Sequence, residues 1–478
     1  MVTANKDTCE DKTWRPLLML DFLLNSNPFS SLGVTYCVSY RQNPDMPIAF
    51  FPLICPMHAA NTANADELLD VRGVEQWKLR RFSTGAALRA IWPETSRPDD
   101  FWLSLEVLAF LTDNPQGAET EAILLEDSRS FRRILLTVQS FSFSAAGQVQ
   151  DGAKGETSGW DFRRRLLTPF SFRILSIGQL LTSGSFSSDG LDQLSASEAS
   201  ELLPAVAETL MRLRPGYAAV MIKDLYPILH PAVRELQNTG HYLLPADPVM
   251  EIKISAEWKN FEDYLASLTS KYRVRYRRAR TKMEGVTSRP LTAREVRRYG
   301  NRFHELYRSI SVGADFNSAS LKPDYFPWLA SVQKCKPSLE TVLSNGGLED
   351  DYISKSATSC FTGYFNEADE LIGFTSVVPN GEVLHAHFLG LEDGYKQSHH
   401  LYHNMLFDLL EQAVTGGFRT LDYGRTALEI KSSVGAQAVE YAVLVKARYG
   451  WLNRLIPLFT PAVYTASEWV ARNPFRGV

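Results

Sequence analysis

Runs of β-branched and aromatic residues recur in this chain in the same order at two places. The runs 34–40 and 48–54 flank an Asn-Pro-Asp turn, and the runs 359–365 and 371–378 flank a second polar turn. Apolar runs on either side of turn residues are typical of β-hairpins. The pattern therefore predicts one hairpin in the N-terminal part of the chain and another in the C-terminal half.

Each predicted hairpin is followed by further elements in a common order. After the second hairpin come a strand-like run, a helical segment and a short strand-like run, at 382–391, 399–415 and 420–423. The corresponding segments of the first half are 172–177, 196–213 and 218–222. This repeated order predicts an α/β protein of two tandem units, each with a mixed sheet flanked by helices.

A long segment separates the first hairpin from the next strand of its unit. We predict that 58–170 is an insertion and that its polar, glycine-containing piece 145–159 is a surface loop. We accordingly place the first unit at 1–245 and the second unit, with the candidate site, at 246–478.

The second unit opens with a strongly basic segment, 258–283. Its apolar residues recur at spacings of three and four, which predicts one continuous helix rather than a strand. Seven cations and no acid occupy positions 271–282. One interpretation is a solvated face. The other is a site, including Arg273 and Arg277, for a polyanion such as a carrier phosphate, a tRNA acceptor stem or a lipid pyrophosphate.

The strand predicted at 420–423 ends in a cationic turn. The residues of interest there are, in order, Asp422, Tyr423, Gly424, Arg425, Glu429, Lys431 and Gly435. A strand that stops at such a turn usually delivers side chains to a site. Arg425 and Lys431 could hold a phosphate or carboxylate and stabilise oxyanion charge during acyl transfer. The alternative is that Glu429 pairs with one of these cations.

Two pairs of histidines lie near this turn in the predicted fold. His385 and His387 are two apart on a strand and share a face, and His399 and His403 are four apart on a helix. One of His385 or His387 is a candidate general base, because imidazole titrates near neutral pH. The alternative for each is an interior or rim histidine whose hydrogen bonds are satisfied within the protein. No cysteine cluster or HExxH pattern accompanies them, so we expect no metal site.

These features resemble the Fem-like and CelD-like branch of the GNAT acyltransferase superfamily. In that branch an Asp-aromatic-Gly-Arg strand end leads into a Lys-x-x-x-Gly segment, and a Lys/Arg-rich helix opens the second unit. The resemblance implies tandem GNAT-like units and catalytic roles for Lys431, Arg425, Asp422 and the strand histidines. It implies cofactor contacts at Gly390, Gly394, Lys396, Gly424 and Gly435, and substrate contacts at Tyr423, Glu429 and the arginines of the basic helix.

The turn at 390–399 departs from the acetyl-CoA-binding pattern of ordinary GNAT enzymes. It has two glycines and Lys396 but not the Gln/Arg-x-x-Gly-x-Gly/Ala order. The Fem-like branch, whose donors include aminoacyl-tRNA and other carriers, is the resemblance that fits. We expect no permanently bound cofactor, and acyl-CoA or another acyl carrier as co-substrate.

Composition bounds the class of protein. The chain has 478 residues, 45% of them hydrophobic and 22% charged, and a net charge of −4. These values are typical of a globular protein with two or three domains, and they argue against a protein that coats nucleic acid. Five scattered cysteines without CxxC spacing predict reduced thiols.

The chain has no run of about 18 apolar residues, so we expect a cytoplasmic protein. The tail 446–478 mixes aromatic residues with arginines. Packing against the body is one interpretation of that mixture, and peripheral contact with the inner face of a membrane is the other.

The function that these observations predict is transfer of an acyl or aminoacyl group from a carrier to an amine or hydroxyl, on a cell-envelope or exopolysaccharide precursor. Two alternatives stay open at this point. One is an ordinary acetyl-CoA N-acetyltransferase, and the other is a non-catalytic module that binds a polyanion through the basic segment.

Overall fold

The structure is a computed structural model. It describes residues 68–92, 97, 99–144, 171–184, 187–311, 321–333, 360–457, 460 and 469–476. The chain divides into the segments 1–61 and 62–478, and every described residue belongs to the second segment. The predicted hairpin at 34–54 and the predicted loop at 145–159 lie outside the described residues.

The first of two mixed sheets is built mainly from the N-terminal half. Its strands are Leu68–Asp70 (β1), Trp77–Phe82 (β2), Glu119–Asp127 (β3), Arg133–Ser144 (β4), Ser171–Ile177 (β5), Ser188–Asp189 (β6), Ala219–Leu225 (β7), Tyr242–Leu244 (β8) and Ala442–Ala447 (β16). They lie in the order β1-β2-β3-β4-β5-β7-β16-β8, with β6 paired to β4. Only β5 and β7 pair in parallel among these described strands.

The second sheet belongs to the C-terminal half. Its strands are Val249–Lys253 (β9), Thr287–Pro290 (β10), Phe361–Phe365 (β11), Leu371–Asn380 (β12), Val383–Leu391 (β13), Thr420–Asp422 (β14) and Gln437–Val439 (β15). Their order is β10-β11-β12-β13-β14-β9-β15, with β13 and β14 parallel. The predicted fold class, with mixed sheets flanked by helices, is confirmed.

The described helices number thirteen. In the first half they are Gly85–Ala90 (α1), Leu105–Asp113 (α2), Ala196–Leu213 (α3) and Pro231–Asn238 (α4). In the second half they are Phe261–Ser267 (α5), Ser270–Thr281 (α6), Ala293–Arg298 (α7), Gly300–Ser311 (α8), Tyr325–Val332 (α9), Asp393–Ser398 (α10), Leu401–Thr415 (α11), Leu428–Ser432 (α12) and Gly450–Asn453 (α13).

The repeat predicted from the sequence is present in both sheets. A strand, a helix and a parallel strand follow one another as β5, α3 and β7, and again as β13, α11 and β14. The helix α3 has the predicted bounds, and a Ser195–Glu198 capping box fixes its start. These elements of the sequence prediction are confirmed because their periodicity is unbroken.

Two features of the first half differ from the prediction. The segment 58–170 contributes β1 to β4 to the sheet, and β4 pairs with β5 as β12 pairs with β13. It is therefore part of the sheet rather than an insertion outside it. In addition, β16 returns from the second half and pairs with β7 and β8. The unit boundary at 245 stays a prediction, but one late strand crosses it.

The single helix predicted at 258–283 is wrong, because the chain breaks between α5 and α6. Leu268 is extended there, and it forms a β-bridge with Phe475. The backbone N–H of Thr269 donates to the carbonyl of Pro474 at 2.8 Å. A segment distant in sequence thus satisfies the groups that the break exposes, which local periodicity does not report. The predicted apolar face, including Tyr272 and Ala279, is buried as expected.

The second sheet has a different partner on each face. One face packs against α5, α6 and α11 through a core that includes Leu384 and Leu421. The other face packs against α8 and α9, and also against Trp102 and α2 from the first half. The second face therefore lies where the two halves of the chain meet.

The pairing of β13 with β14 stops early. The last register pair is His385 with Asp422, where β14 ends. Beyond that point β13 continues to Leu391 and, within the described residues, pairs only with β12. The two parallel strands therefore separate beyond the carboxyl end of β14, and this break in their pairing is called the opening of the sheet.

Cys360 is disulfide-bonded, so the expectation of reduced thiols is wrong for this residue.

The close approach of the C-terminal segment to the sheet depends on a glycine. Gly435 has φ +104, and a Cβ added to it would lie 2.4 Å from Cζ of Phe475. Gly435→Ala should destabilise the protein by about 3 kcal/mol, from left-handed backbone strain plus overpacking. Gly73→Ala is the matched control, because Gly73 has φ +86 and open space around it. Denaturant unfolding of both variants measures the difference, and equal losses would refute the packing argument.

Candidate functional site

A cluster of buried charges links the two sheets near the ends of β7 and β14. Asp224 is 3% exposed and has φ +57. Arg425 donates to one of its carboxylate oxygens and also to the carbonyl of Asp247. The other carboxylate oxygen accepts from Lys223 and, at 2.9 Å, from the backbone N–H of Gly184. The neighbouring cations hold the pKa of Asp224 below its usual value despite burial.

Arg425 is therefore an ion-pair partner within the protein. The alternative weighed from the sequence was a pair with Glu429, but Glu429 instead accepts from Arg472 of the C-terminal segment, at 3.1 Å from Nε. Removing Arg425 would leave the Asp224 carboxylate buried with only one of its two cationic partners. Its first role is to join the two halves of the site.

Asp422 and Lys431 form the second part of the cluster. Both are buried, at 2% and 4% exposure. The Lys431 ammonium donates to the carbonyls of Gly424 and Arg425 at 3.2 and 2.5 Å. Burial raises the pKa of Asp422 to about 7, and burial lowers the pKa of Lys431 to about 7 although Asp422 opposes that shift. A carboxyl and an amine that both titrate near neutral pH can exchange protons with a substrate.

The turn that carries these residues is strained. Gly424, Thr426 and Ala427 have φ values of 68, 67 and 50. Six described non-glycine residues have positive φ, and Asp224, His400, Thr426 and Ala427 are four of them. Such conformations cost free energy and concentrate at functional sites, which supports this region as the site.

His385 faces the same cluster. It is the register partner of Asp422 and is 3% exposed. Burial, with Lys223 and Lys431 adding to its effect, lowers the pKa of His385 to about 3. The pKa of the neighbouring His387 is also well below its usual value because of burial. Both imidazoles are neutral at physiological pH and are weak bases, so Lys431 is the better candidate for a general base.

A groove of about 690 Å³ lies on the α11 side of the sheet. Its lining residues are Ser270, Lys271, Val274, Arg275, Arg278, His400, His403, Glu429, Ile430 and Ser433. They come from α6, from the start of α11 and from α12. Lys431 is on the buried side of α12, so this short helix is a wall between the groove and the charged cluster.

The groove has the charge of an anion site. Lys271, Arg275 and Arg278 have no acidic partner among the described residues, and the fifteen-residue helix α11 begins at its edge. A helix N-terminus presents unpaired backbone N–H groups and a positive dipole. His403 is 8% exposed, and its Nε2 has no hydrogen-bond partner in the part of the chain that the structure describes. Its pKa is lowered to about 4, chiefly by burial, so Nε2 can carry a proton as a neutral donor.

Of the substrate contacts predicted from the sequence, some line the groove and others do not. Glu429 lines the groove, whereas Arg273 donates to the carbonyl of Leu268 at 2.6 Å and Arg277 is exposed, and neither arginine lines the groove. Tyr423 is buried and donates to the carbonyl of Leu406 at 2.7 Å. Its contacts are therefore those of a core residue.

The predicted cofactor contacts, the glycines and Lys396, also lie in different parts of the structure. The backbone N–H of Gly424 donates to Asp422 at 2.6 Å, so Gly424 belongs to the cluster. Gly390 lies against Leu306, and Gly435 lies against Phe475, so both allow close packing. Gly394 and Lys396 lie in α10, outside the lining of the groove.

The sequence interpretation missed Lys223 and Asp224. The segment that follows Ile222 lacks the Gly-Arg-Lys run of the second half, so no motif pointed to these two residues. The feature that could have identified Lys223 and Asp224 is their position near the end of β7, which is the strand equivalent to β14. Trp102 and Tyr325, which surround His387, carried no local signal because their proximity arises from packing between distant segments.

Comparisons with known proteins give structural matches alone. No family model matches the chain, and no curated protein matches it. Among solved structures, FemX has a TM-score of 0.40 and 11% identity, over 71% of this chain and 90% of FemX. A GCN5-related N-acetyltransferase from Sphaerobacter thermophilus has a TM-score of 0.36 and 11% identity, over 78% of this chain and 96% of that one.

A third similar structure is the C-terminal domain of a putative lysylphosphatidylglycerol synthetase from Agrobacterium fabrum. It has a TM-score of 0.35 and 9% identity, over 60% of this chain and 80% of that one. FemX and a GCN5-related N-acetyltransferase thus both occur among the matching structures.

The described residues contain no group of three or more potential metal ligands. No helix in the same residues is long and apolar enough to cross a membrane.

The opposed pKa shifts of Asp422 and Lys431 predict a minimum in their contribution to stability. Between about pH 4 and 7 the folded Asp422 keeps a proton that the unfolded chain has lost, so stability falls as the pH rises. Between about pH 7 and 10 the unfolded Lys431 keeps a proton that the folded state has lost, so stability rises.

The measurement is the free energy of unfolding of the wild type relative to the double variant Asp422→Asn, Lys431→Met from pH 4 to 10. The difference should have a minimum near neutral pH, with slopes of up to about 1.4 kcal/mol per pH unit. A pH-independent difference would show that neither pKa is shifted.

Proposed function

We propose that this protein is an acyltransferase that moves an acyl or aminoacyl group from a phosphate-bearing carrier to an amine or hydroxyl. The observation that carries this proposal is the arrangement of two sites on one sheet. A cationic groove at the start of α11 lies on one face, and the buried pair Asp422 and Lys431 lies at the opening where β14 ends. One site suits the carrier and the other suits the chemistry.

More observations support the proposed donor than the proposed acceptor. Three cations without an acidic partner in the described part of the chain, two imidazoles and a helix N-terminus suit phosphate groups. Acyl carriers such as acyl-CoA carry several phosphate groups. Glu429 is the single acid among the groove's lining residues, and Arg472 neutralises it. An aminoacyl-tRNA, whose phosphates would also engage the outer face of α6, is the other donor that this charge suits.

The reaction requires no covalent enzyme intermediate. The acceptor loses a proton to the neutral amine of Lys431 and attacks the donor carbonyl. Cations and backbone N–H groups stabilise the tetrahedral oxyanion. Its collapse breaks the bond to the carrier, and the carrier leaves with the proton that Lys431 returns. The opening beyond His385 and Asp422 would let the acyl group reach this pair from the groove side.

For the acceptor, the proposal names a chemical class rather than a single molecule. An amine or hydroxyl on a cell-envelope or exopolysaccharide precursor is the class that the sequence resemblance implies. Tyr449 and Trp451 are 56% and 65% exposed beside the exposed Arg454. Aromatic residues with a cation suit the surface of an anionic membrane, which supports peripheral attachment and a membrane-linked acceptor. A cytoplasmic location remains part of the proposal.

A ligand screen by thermal shift separates the proposed functions. CoA, acyl-CoAs, an aminoacyl-tRNA and nucleotide- or lipid-linked sugars are the ligands to compare. Stabilisation by CoA favours an acyl-CoA donor, and stabilisation by the aminoacyl-tRNA favours an aminoacyl donor. No stabilisation by any carrier would contradict the transferase, and binding without turnover would favour a polyanion-binding module.

The groove predicts which arginines of α6 hold the donor. Arg275→Ala and Arg278→Ala should each weaken binding of CoA about tenfold, since each loses a charge-assisted contact with phosphate. Arg277→Ala is the matched control, because it is an exposed arginine of the same helix outside the groove. Calorimetric titration with CoA at two salt concentrations measures both effects. An equal loss in Arg277→Ala would indicate a diffuse charge effect instead.

Lys431 should matter for turnover rather than for donor binding. Lys431→Met keeps the length of the side chain and removes the amine, so turnover should fall about 10²- to 10⁴-fold. The affinity for the carrier should stay unchanged, because the amine is on the buried side of α12. Lys253→Met, at an exposed position on β9, is the control. Normal turnover in Lys431→Met would exclude this lysine as the base.

A further inference from the structure

A buried group of rings lies next to His385, on the face of the second sheet that meets the first half of the chain. Trp102 precedes α2 and is fully buried, with ring centroids 4.7 Å from His387 and 5.8 Å from His385. Tyr325 of α9 is also fully buried, and its hydroxyl lies 2.6 Å from Nε2 of His387. The group is contiguous with the charged cluster through His385.

Two nitrogen atoms of this group are unsatisfied. Neither Nε1 of Trp102 nor Nδ1 of His387 has a hydrogen-bond partner among the described residues, and both are closed to solvent. An unpaired buried polar group costs free energy of about 1–3 kcal/mol. Native proteins rarely leave two such atoms on adjacent rings, so their presence together requires an explanation.

The protonation of these rings follows from their burial. Burial raises the pKa of Tyr325 and lowers that of His387, so the phenol keeps its proton and the imidazole is neutral. When Tyr325 donates to Nε2, the one imidazole proton is on Nδ1. The reverse direction would leave the phenol proton unpaired as well. The first arrangement leaves fewer unpaired groups, and it makes both unsatisfied nitrogens N–H donors.

We propose, building on the transferase function above, that Trp102 and His387 form a subsite for an uncharged oxygen of the acceptor, with Tyr325 fixing the imidazole tautomer. An amide carbonyl and a sugar hydroxyl both supply the lone pairs that N–H donors on two neighbouring rings require. An ammonium group supplies donors only, so it is excluded from this position. The subsite would orient the acceptor next to His385 and the Asp422–Lys431 pair.

The indole N–H of Trp102 is itself the reporter for the test. The protein has nine tryptophans, and the Trp102 signal in a ¹H–¹⁵N spectrum of the whole chain is assigned by its loss in Trp102→Phe. N-methylacetamide probes a carbonyl, methyl glucoside probes hydroxyls and tetramethylammonium probes a cation. We expect a saturable shift of the Trp102 signal with at least one neutral probe and none with the cation. Which neutral probe acts distinguishes the two oxygen sources.

Variants separate the subsite from simple packing. Tyr325→Phe should raise the dissociation constant of the active neutral probe about tenfold, because the imidazole loses the partner that fixes its tautomer. Tyr364→Phe is the matched control, since Tyr364 is also fully buried and its hydroxyl donates to Asp408 at 2.7 Å rather than to a ring of this group. An unchanged constant in Tyr325→Phe would overturn the assigned role of His387.

The outcome also separates this inference from the transferase function. CoA is titrated into the same samples. Binding of CoA with no saturable response to either neutral probe, or with an equal response to tetramethylammonium, overturns the subsite alone. Failure of CoA and the other carriers to bind overturns the proposed donor groove instead.

Discussion

The ion pair between Asp224 and Arg425 is the interaction on which the rest of the site depends. It joins β7 of the first sheet to the turn after β14 of the second, and Asp224 is almost wholly buried. A buried carboxylate is tolerated because Arg425, Lys223 and the amide of Gly184 compensate it together. The same turn orients the carbonyls that accept from Lys431. A change in this pair would therefore alter the contact between the halves and the position of the amine at once.

The second sheet separates two kinds of chemistry by its two faces. Alternate residues of β13 point in opposite directions, so Leu384 enters the core beneath α11 while His385 faces the charged cluster. The cations of the groove are on the other side of α12 from Lys431, in solvent-exposed positions. This separation allows Lys431 to be desolvated while the groove stays open and strongly positive.

The sequence predicted local elements well where one period runs unbroken. The bounds of α3 and the succession of β11, β12, β13, α11 and β14 followed from apolar spacing. It failed at Leu268, where the periodic pattern continues through a break that only Phe475 and Pro474 make favourable. It also treated 58–170 as an insertion, because nothing local to β3 and β4 reveals that they pair beside β5. The candidate residues Asp422 and Lys431 were found, while Asp224 and Trp102, which define their surroundings, were not.

The sequence by itself determined the α/β class, the repeated strand, helix and strand, and the residue types at the end of β14, because these depend on spacing within a few turns of chain. Only the tertiary structure decided what those residues can do. The pKa shifts of Asp422 and Lys431 come from burial between two sheets, and the pairing of Arg425 comes from a strand some two hundred positions earlier in the chain. Desolvation and long-range pairing are properties of packing, and no local pattern of residues encodes them.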